Sequence, residues 1–431
     1  MNGQKKELWR KITKERFCDP EKRMDFVLFF DVRDGNPNGD PDAGNLPRMD
    51  PETGQGIVTD VCIKRKIRDY LYMVHKRPIY IQSEASLNSL YFKAANEIAE
   101  YKPKEDAAEN DQKAKEKKSV EALLTVLKDD KFKKLIDSHE ASDEGEPQDL
   151  RDGEQIVPFR DWLSTIDVEG MEFDAERSEL SYLGEVKSAK DFEALLKQDE
   201  FGYKSHEKAI DELSSFLANA KKSGGTQERA AREAVKRKMC EKYDDIRLFG
   251  AVLTAGTNAG QIRGPMQMTF GRSVEPILQM DSAITRCAIT KSSDWKKKQT
   301  EFGRKPWLNW AVYRQHGFYN PMLGKNTYTT KEDLARFWEA LACMFRNSDS
   351  ASKGEMTMHD ILVFVHDHPQ GSCPSHLLFN KVTCEPFADT VSLSDKNISI
   401  IKRDGFDKYY KIGIDEPDIK PERPLKKLWE L

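Results

Sequence analysis

Four aspartates crowd one short stretch of this chain. Asp31, Asp34, Asp40 and Asp42 lie within Asp31-Val-Arg-Asp-Gly-Asn-Pro-Asn-Gly-Asp-Pro-Asp-Ala-Gly-Asn45. Carboxylates at that density can hold Mg²⁺ or act as acid and base on a phosphodiester. Asp and Asn are equally the ordinary formers of tight turns, and the spacing matches neither an EF-hand nor another metal motif. If the chain cut RNA, Asp34 or Asp40 would be the carboxylate to carry it. Gly35-Asn-Pro-Asn-Gly39 resembles a phosphate cradle only loosely, and no GxxxxGK[ST] or GxGxxG opens a helix, so NTP hydrolysis is not indicated. His366-Asp-His368 fits the end of a strand better than a metal site. The seven cysteines are scattered without a CxxC pair, which excludes a disulfide scaffold and a thiolate zinc site and suits a reducing cytoplasm. No cofactor and no metal are expected.

A second chemistry is the neutralisation of a phosphate backbone. Lys64, Arg65, Lys66 and Arg68 follow the Asp-rich loop closely. Gly260-Gln-Ile-Arg-Gly-Pro-Met-Gln-Met-Thr-Phe-Gly-Arg272 sets Gln261, Arg263 and Arg272 among glycines that permit close backbone approach. Ile277, Leu278 and Met280 are apolar side chains able to wedge between bases, or to serve as ordinary core. The net charge of −4 argues against such a partner until it is divided by position. Residues 101–220 carry 18 basic and 31 acidic groups, whereas the remaining chain carries 51 and 42. A basic framework contains an acidic insertion, and phosphate binding follows the local density of Lys and Arg.

The elements that must position these residues are legible from hydrophobic period. Residues 24–32, Met-Asp-Phe-Val-Leu-Phe-Phe-Asp-Val, read as a buried central strand running into the Asp-rich loop. Thr59-Asp60 then opens a helix as N-cap and first-turn acid. Ile63, Ile67, Tyr70, Leu71 and Val74 form its apolar face, with Arg65 and Arg68 pointing away and Lys64 and Lys66 on the flanks. Further strands are expected at 246–253, 266–270 and 360–366. An amphipathic helix over 331–346 buries Leu334, Phe337, Trp338, Leu341 and Phe345. Strands separated by helices indicate an α+β domain. Residues 142–155 read as a loose acidic stretch and 221–225 as a linker. The aromatics of 156–220 suit a small packed unit. No apolar run is long enough to span a bilayer and no signal peptide is visible, so no membrane partner is expected.

Several long words in order carry a specific resemblance. Phe26-Val-Leu-Phe-Phe-Asp-Val32, Asn36-Pro-Asn-Gly-Asp-Pro-Asp-Ala-Gly-Asn45, Val58-Thr-Asp-Val-Cys-Ile-Lys-Arg-Lys-Ile-Arg68, Gly260-Gln-Ile-Arg-Gly-Pro265, Phe270-Gly-Arg-Ser273 and His316-Gly-Phe318 resemble the backbone subunit of type I-C CRISPR interference complexes, Cascade. The resemblance covers roughly residues 20–95 and 240–385. It implies an RNA-recognition-motif-like (ferredoxin-like) palm over 20–100 and 221–385, with finger insertions and a β-hairpin thumb at about 274–312. Residues 101–220 would be an acidic, largely helical insertion, and 386–431 a C-terminal extension.

The implied role is antiviral defence in the cytoplasm. Copies of the chain would stack head to tail along a CRISPR RNA and present it for pairing with target DNA, without catalysis. The other partners would be the subunit that processes the precursor RNA, the large subunit and the small subunit. On that basis the RNA-binding residues are Asn36, Asn38, Lys64, Arg65, Arg68, Gln261, Arg263 and Arg272, with Met280 and Arg286 facing the bases. The alternative is a metal-dependent endoribonuclease backbone subunit using Asp34 or Asp40.

Overall fold

The computed structural model describes residues 3–102, 107–140, 158–166, 168, 170–184, 186, 188–197, 206–220, 228–253, 260–288, 300–386, 410–415 and 420–429. The expected loose stretch 142–155 and the linker 221–225 lie outside them. The chain divides into two compact units. The first comprises Met1–Ile79, Arg247–Phe249 and Gly264–Leu431, and the second Tyr80–Ile246 and Gly250–Arg263. The second unit therefore takes in the acidic 101–220 stretch together with the segments on either side of it.

The first unit is built on an antiparallel sheet. Its strands are β1 (Met24–Gly35), β2 (Gln55–Val58), β3 (Met266–Met268), β4 (Gly271–Pro276), β5 (Gln279–Arg286), β6 (Glu301–Tyr319) and β7 (Glu355–Val365). The order is β7-β1-β6-β4-β2, with β3 and β5 also pairing to β6. Two helices cover one face: α1 (Asp60–His75) and α2 (Lys331–Cys343). The two-residue period of β1 assigns its side chains to two cores. Phe26, Leu28, Phe30 and Val32 pack with Ile63, Ile67, Phe337, Trp338 and Phe345. Val27 and Phe29 pack on the other side with Trp310, Leu362, Phe379, Val382 and Tyr410. That second face is covered by α3 (Ser375–Asn380) and a hairpin of β8 (Val382–Pro386) with β9 (Tyr410–Ile414). Arg314 fastens it by donating to the carbonyls of Val382 and Phe379. Both faces being covered explains why β1 reads as a continuous apolar run and not as an alternating one.

The expected α2 face is buried in full, and Thr330 closes a capping box with Asp333. Val74 departs from the expected α1 face: it is 41% exposed, as the last turn runs beyond the sheet. The expected strand at 246–253 is divided. Asp244–Phe249 is a helix ended by Gly250 at φ 77°, and only Gly250–Leu253 is extended, paired to Gly260–Arg263. A short apolar run has no period of its own strong enough to choose between helix and strand. Here the choice follows from Arg247, which is buried and held by Asp333 through two 2.9 Å hydrogen bonds.

Phe26 lies opposite Gly317 in the β1–β6 register, and a Cβ on Gly317 would stand 2.0 Å from the Phe26 ring. That ring is wedged against Phe337 and Trp338 and cannot withdraw. Gly317→Ala is expected to destabilise the protein by about 3 kcal/mol through overpacking. A shift in the urea unfolding midpoint measures it, and an unchanged midpoint would contradict this packing.

The second unit has two cores. One joins the helices Leu87–Ala99, Ala107–Leu123 and Glu228–Lys242 through Tyr91, Phe92, Val120, Val235 and Met239. The other surrounds a three-stranded sheet of Leu124–Leu127, Glu179–Leu183 and Met171–Asp174, in that order. It buries Phe159, Trp162, Phe173, Tyr182 and Phe192. Phe201 and Tyr203 lie outside the described residues.

Candidate functional site

The loop after β1 is fastened to the start of α1 by its asparagines. Asn38 Oδ1 accepts from the backbone and hydroxyl of Thr59 at 2.9 and 2.8 Å, and Thr59 Oγ1 caps the helix by accepting from Cys62 N. Asn36 is 4% exposed; its side-chain amide donates to Asn45 O at 2.6 Å, and its backbone N–H donates to Ser352 O. Asp40 accepts from Asp42 N and lies 3.5 Å from Arg48. Asp34 sits half-buried at the end of β1 with φ 48°.

The loop before β7 approaches from the other side. Gly354 has φ +64°, and a Cβ there would meet Arg33 O at 2.1 Å, so only glycine allows this contact. The neighbouring Lys353 donates to Pro37 O at 3.1 Å, and the Cys62 thiol donates to the same carbonyl. Lys353, Lys66 and Arg48 all stand close enough to Cys62 for their charges to act on its thiol, although burial still pushes that thiol up. Three cations from three segments thus converge on one place in the fold.

The four basic residues of α1 have different surroundings. Lys64 is buried and paired to Asp60 at 2.9 Å, with its ammonium over the Phe249 ring. Arg65 is exposed and paired to Asp69 at 2.9 Å. Arg68 does not point to solvent as its helical position suggested; it is 7% exposed, with its guanidinium 5.1 Å from the centre of the Phe249 ring. Phe249 lies some 180 residues further along the chain, so no local pattern announces this cover. Lys66 is also 7% exposed, but it has no hydrogen bond and no carboxylate partner among the described residues. The Phe345 ring lies 5.9 Å from its ammonium. Burial holds its ammonium below the ordinary lysine value and the charge of Lys353 adds to this, while Cys62, Asp69 and Asp349 oppose it without any of them forming an ion pair with it. Desolvating a cation without an anion is costly, and such a group marks a place where an anion is missing.

The remaining expected residues do not form one cluster. Arg272, on β4, donates to Asp50 at 2.5 Å, and that hydrogen bond holds the Asp50 carboxyl below its usual range. Met280 is half-buried on β5 opposite Trp307. Arg286, near the end of the same strand, pairs with Glu301 and donates to Ala288 O. The β5–β6 ribbon exposes Ile284 and Phe302. Gln261 and Arg263 are exposed on the strand Gly260–Arg263, which belongs to the second unit. His366 is a buried core residue between Asp25 and Ser372 N. Among the described residues no three His, Cys, Asp or Glu side chains converge as a metal site, and no helix is long and apolar enough to cross a membrane.

The sequence model of the family described as CRISPR-associated protein Cas7 matches residues 22–137 and 182–401 of this chain. The chain belongs to the Cas7 family. A CRISPR-associated protein Cas7 of Haloferax volcanii is 53% identical over 49 residues, a segment spanning 11% of this chain and 14% of that relative. Two solved structures, a CRISPR RNA-guided surveillance complex in a pre-nicking form and a CRISPR RNA-guided surveillance complex, overlap 86% of the chain each. They cover 80% and 78% of their own chains, at 12% and 11% identity and TM-scores of 0.36 and 0.33. Within this Cas7-family chain, Arg48, Lys66 and Lys353 are the site residues that sequence reasoning did not select. Lys66 was legible as one of four basic residues within five positions. Lys353 carries no local signal beyond the glycine that follows it.

Proposed function

We propose that this chain is the guide-RNA-binding backbone subunit of a type I-C Cascade complex. Copies stack head to tail along the CRISPR RNA in the cytoplasm, present it to target DNA, and take no catalytic part. The precursor-processing, large and small subunits complete the assembly. The observation that carries this reading is the buried Lys66, without an ion pair among the described residues, with Lys353 and Arg48 beside it around the Cys62 thiol. A phosphate of a bound strand supplies the missing anion.

The order β7-β1-β6-β4, with α1 and α2 as the crossovers, supports an RNA-recognition-motif-like palm. With its sheet face covered by α3 and the β8–β9 hairpin, the strand is held from the loop and helix side. The β5–β6 ribbon supports the thumb assigned to 274–312, with Met280 and Arg286 toward the bases. Asn36 and Asn38 act by holding the loop in shape. Lys64, Arg65, Arg68, Gln261, Arg263 and Arg272 add backbone contacts.

Co-expression with a CRISPR array tests the proposal directly. The purified protein is expected to carry RNA, seen as a high ratio of absorbance at 260 to 280 nm in a large particle. Nucleic-acid-free protein after purification in moderate salt would remove this reading. Incubation with complementary RNA and Mg²⁺ addresses the endoribonuclease alternative. Regularly spaced cuts that vanish in Asp34→Ala or Asp40→Ala would replace the non-catalytic assignment.

A further inference from the structure

The second unit contains a cavity of about 300 Å³ between the helix Leu87–Ala99 and the outer face of the three-stranded sheet. The sheet's period decides what lines it. Phe173, Leu180 and Tyr182 point into the core, so Glu172, Asp174, Glu179 and Ser181 share the opposite face. In the register Asp174 stands directly across from Glu179, and Glu172 across from Ser181. Like charges placed opposite each other on a sheet repel, and Arg177 relieves this only in part, at 3.7 Å from Asp174. Neither Glu172 nor Glu179 has a cation partner among the described residues; Glu172 accepts from Ser86 Oγ at 2.7 Å and from the Asn88 side chain, both neutral donors. Ser181 is 5% exposed, lines the cavity, and its hydroxyl has no hydrogen-bond partner among the described residues. Burial pushes the Glu172 carboxyl up, as expected where no counter-charge is present. Lys93, Lys128 and Arg177 also line the cavity, but all three are exposed and their long side chains can turn to water.

We propose that this cavity binds an arginine side chain presented by a basic segment of a partner protein, with Glu172, Glu179 and Ser181 as its acceptors. A guanidinium is planar and weakly hydrated and offers five donors, which matches several acceptors on one wall. Phe92, 3% exposed, supplies an apolar flank. The excess of acid over residues 101–220 steers a basic segment toward the unit. The site is independent of the RNA-binding reading, since it shares no residue with the RNA-binding set.

The test is saturation-transfer NMR of the full chain with the tripeptide acetyl-Ala-Arg-Ala-amide. Controls are the same peptide with neutral citrulline in place of arginine, and spermidine. Saturable binding of the arginine peptide is expected. It should be lost with citrulline and weakened about tenfold by Glu172→Gln and by Ser181→Ala, the size of one charge-assisted hydrogen bond. Circular dichroism checks that each variant folds; Glu179→Gln replaces one that does not. Equal binding of the citrulline peptide, binding of spermidine alone, no saturation, or indifference to all three substitutions would each overturn the proposal.

Discussion

The double variant Lys66→Ala/Lys353→Ala is expected to lose RNA by about a hundredfold or more. Charge-assisted contacts contribute roughly 1.5–3 kcal/mol each, and two are removed. The loss should be uniform across guide sequences, because phosphate contacts carry no sequence information. The slope of log affinity against log salt should also flatten by about 1.4, or about 0.7 for each phosphate of a single strand. Filter binding at several salt concentrations reads all three quantities. The fold should respond in the opposite direction.

Lys66 is a buried ammonium with no ion pair among the described residues, so Lys66→Met removes a desolvation cost while keeping the volume and the contact with Phe345. It is expected to raise stability by about 1 kcal/mol as it weakens RNA binding, a trade-off usual at binding sites. The sign with pH follows from the lowered value of the folded-state ammonium. The cost is fully present below the lowered folded value, shrinks as pH rises through it and is gone above the ordinary lysine value near ~10.4, so the advantage of methionine should shrink across that window. A Lys66→Met protein that is less stable and binds RNA unchanged would show that Lys66 is a structural residue.

Asp333→Ala is expected to be the most destabilising single substitution in the first unit, at about 3–5 kcal/mol. Asp333 is 2% exposed and accepts from Arg247 through both oxygens, from Arg336 at 2.5 Å, and from the Thr330 backbone and hydroxyl. Removing it opens the cap of α2 and takes two charge-assisted hydrogen bonds from the buried Arg247 guanidinium, which is why the loss exceeds that of an exposed ion pair. Burial by itself would raise the Asp333 carboxyl, but the Arg247 hydrogen bonds and the charges of Arg247 and Arg336 hold it below its ordinary value. The stabilisation is therefore complete above the unfolded carboxylate value near ~3.9 and is lost as pH falls through the lowered folded value. Urea unfolding at pH 7 and in acid should show a wide gap between the wild type and Asp333→Ala that narrows as pH falls. A gap independent of pH, or below about 1 kcal/mol, would contradict this account.

Elements with a strong period of their own were legible from sequence. Residues 24–32 read as a buried central strand and fold as one, because seven of the nine are apolar and both faces of the sheet are covered. The helices starting at Asp60 and Lys331 have clear caps and apolar stripes, and both form where expected. The run 246–253 was not legible, because its conformation answers to Asp333 and to Gly250 more than to its own hydrophobicity. The acidic 101–220 stretch showed its charge but not its three-stranded sheet, whose strands are only four or five residues long.

The sequence by itself determined the family, the order of the principal strands and helices, and the presence of basic residues beside an Asn- and Gly-rich loop. All of these reside in local words and local period. Only the tertiary structure decided which cations are free to receive an anion. Asp60 and Asp69 occupy Lys64 and Arg65 from within the helix, Phe249 covers Arg68, and Asp50 occupies Arg272 across 222 residues of chain. Lys353 reaches the same loop from 316 residues away through a contact that only Gly354 allows. Residue type fixes a charge, but its partner and its desolvation depend on which distant segments pack beside it. That is why four similar basic residues within five positions meet four different surroundings.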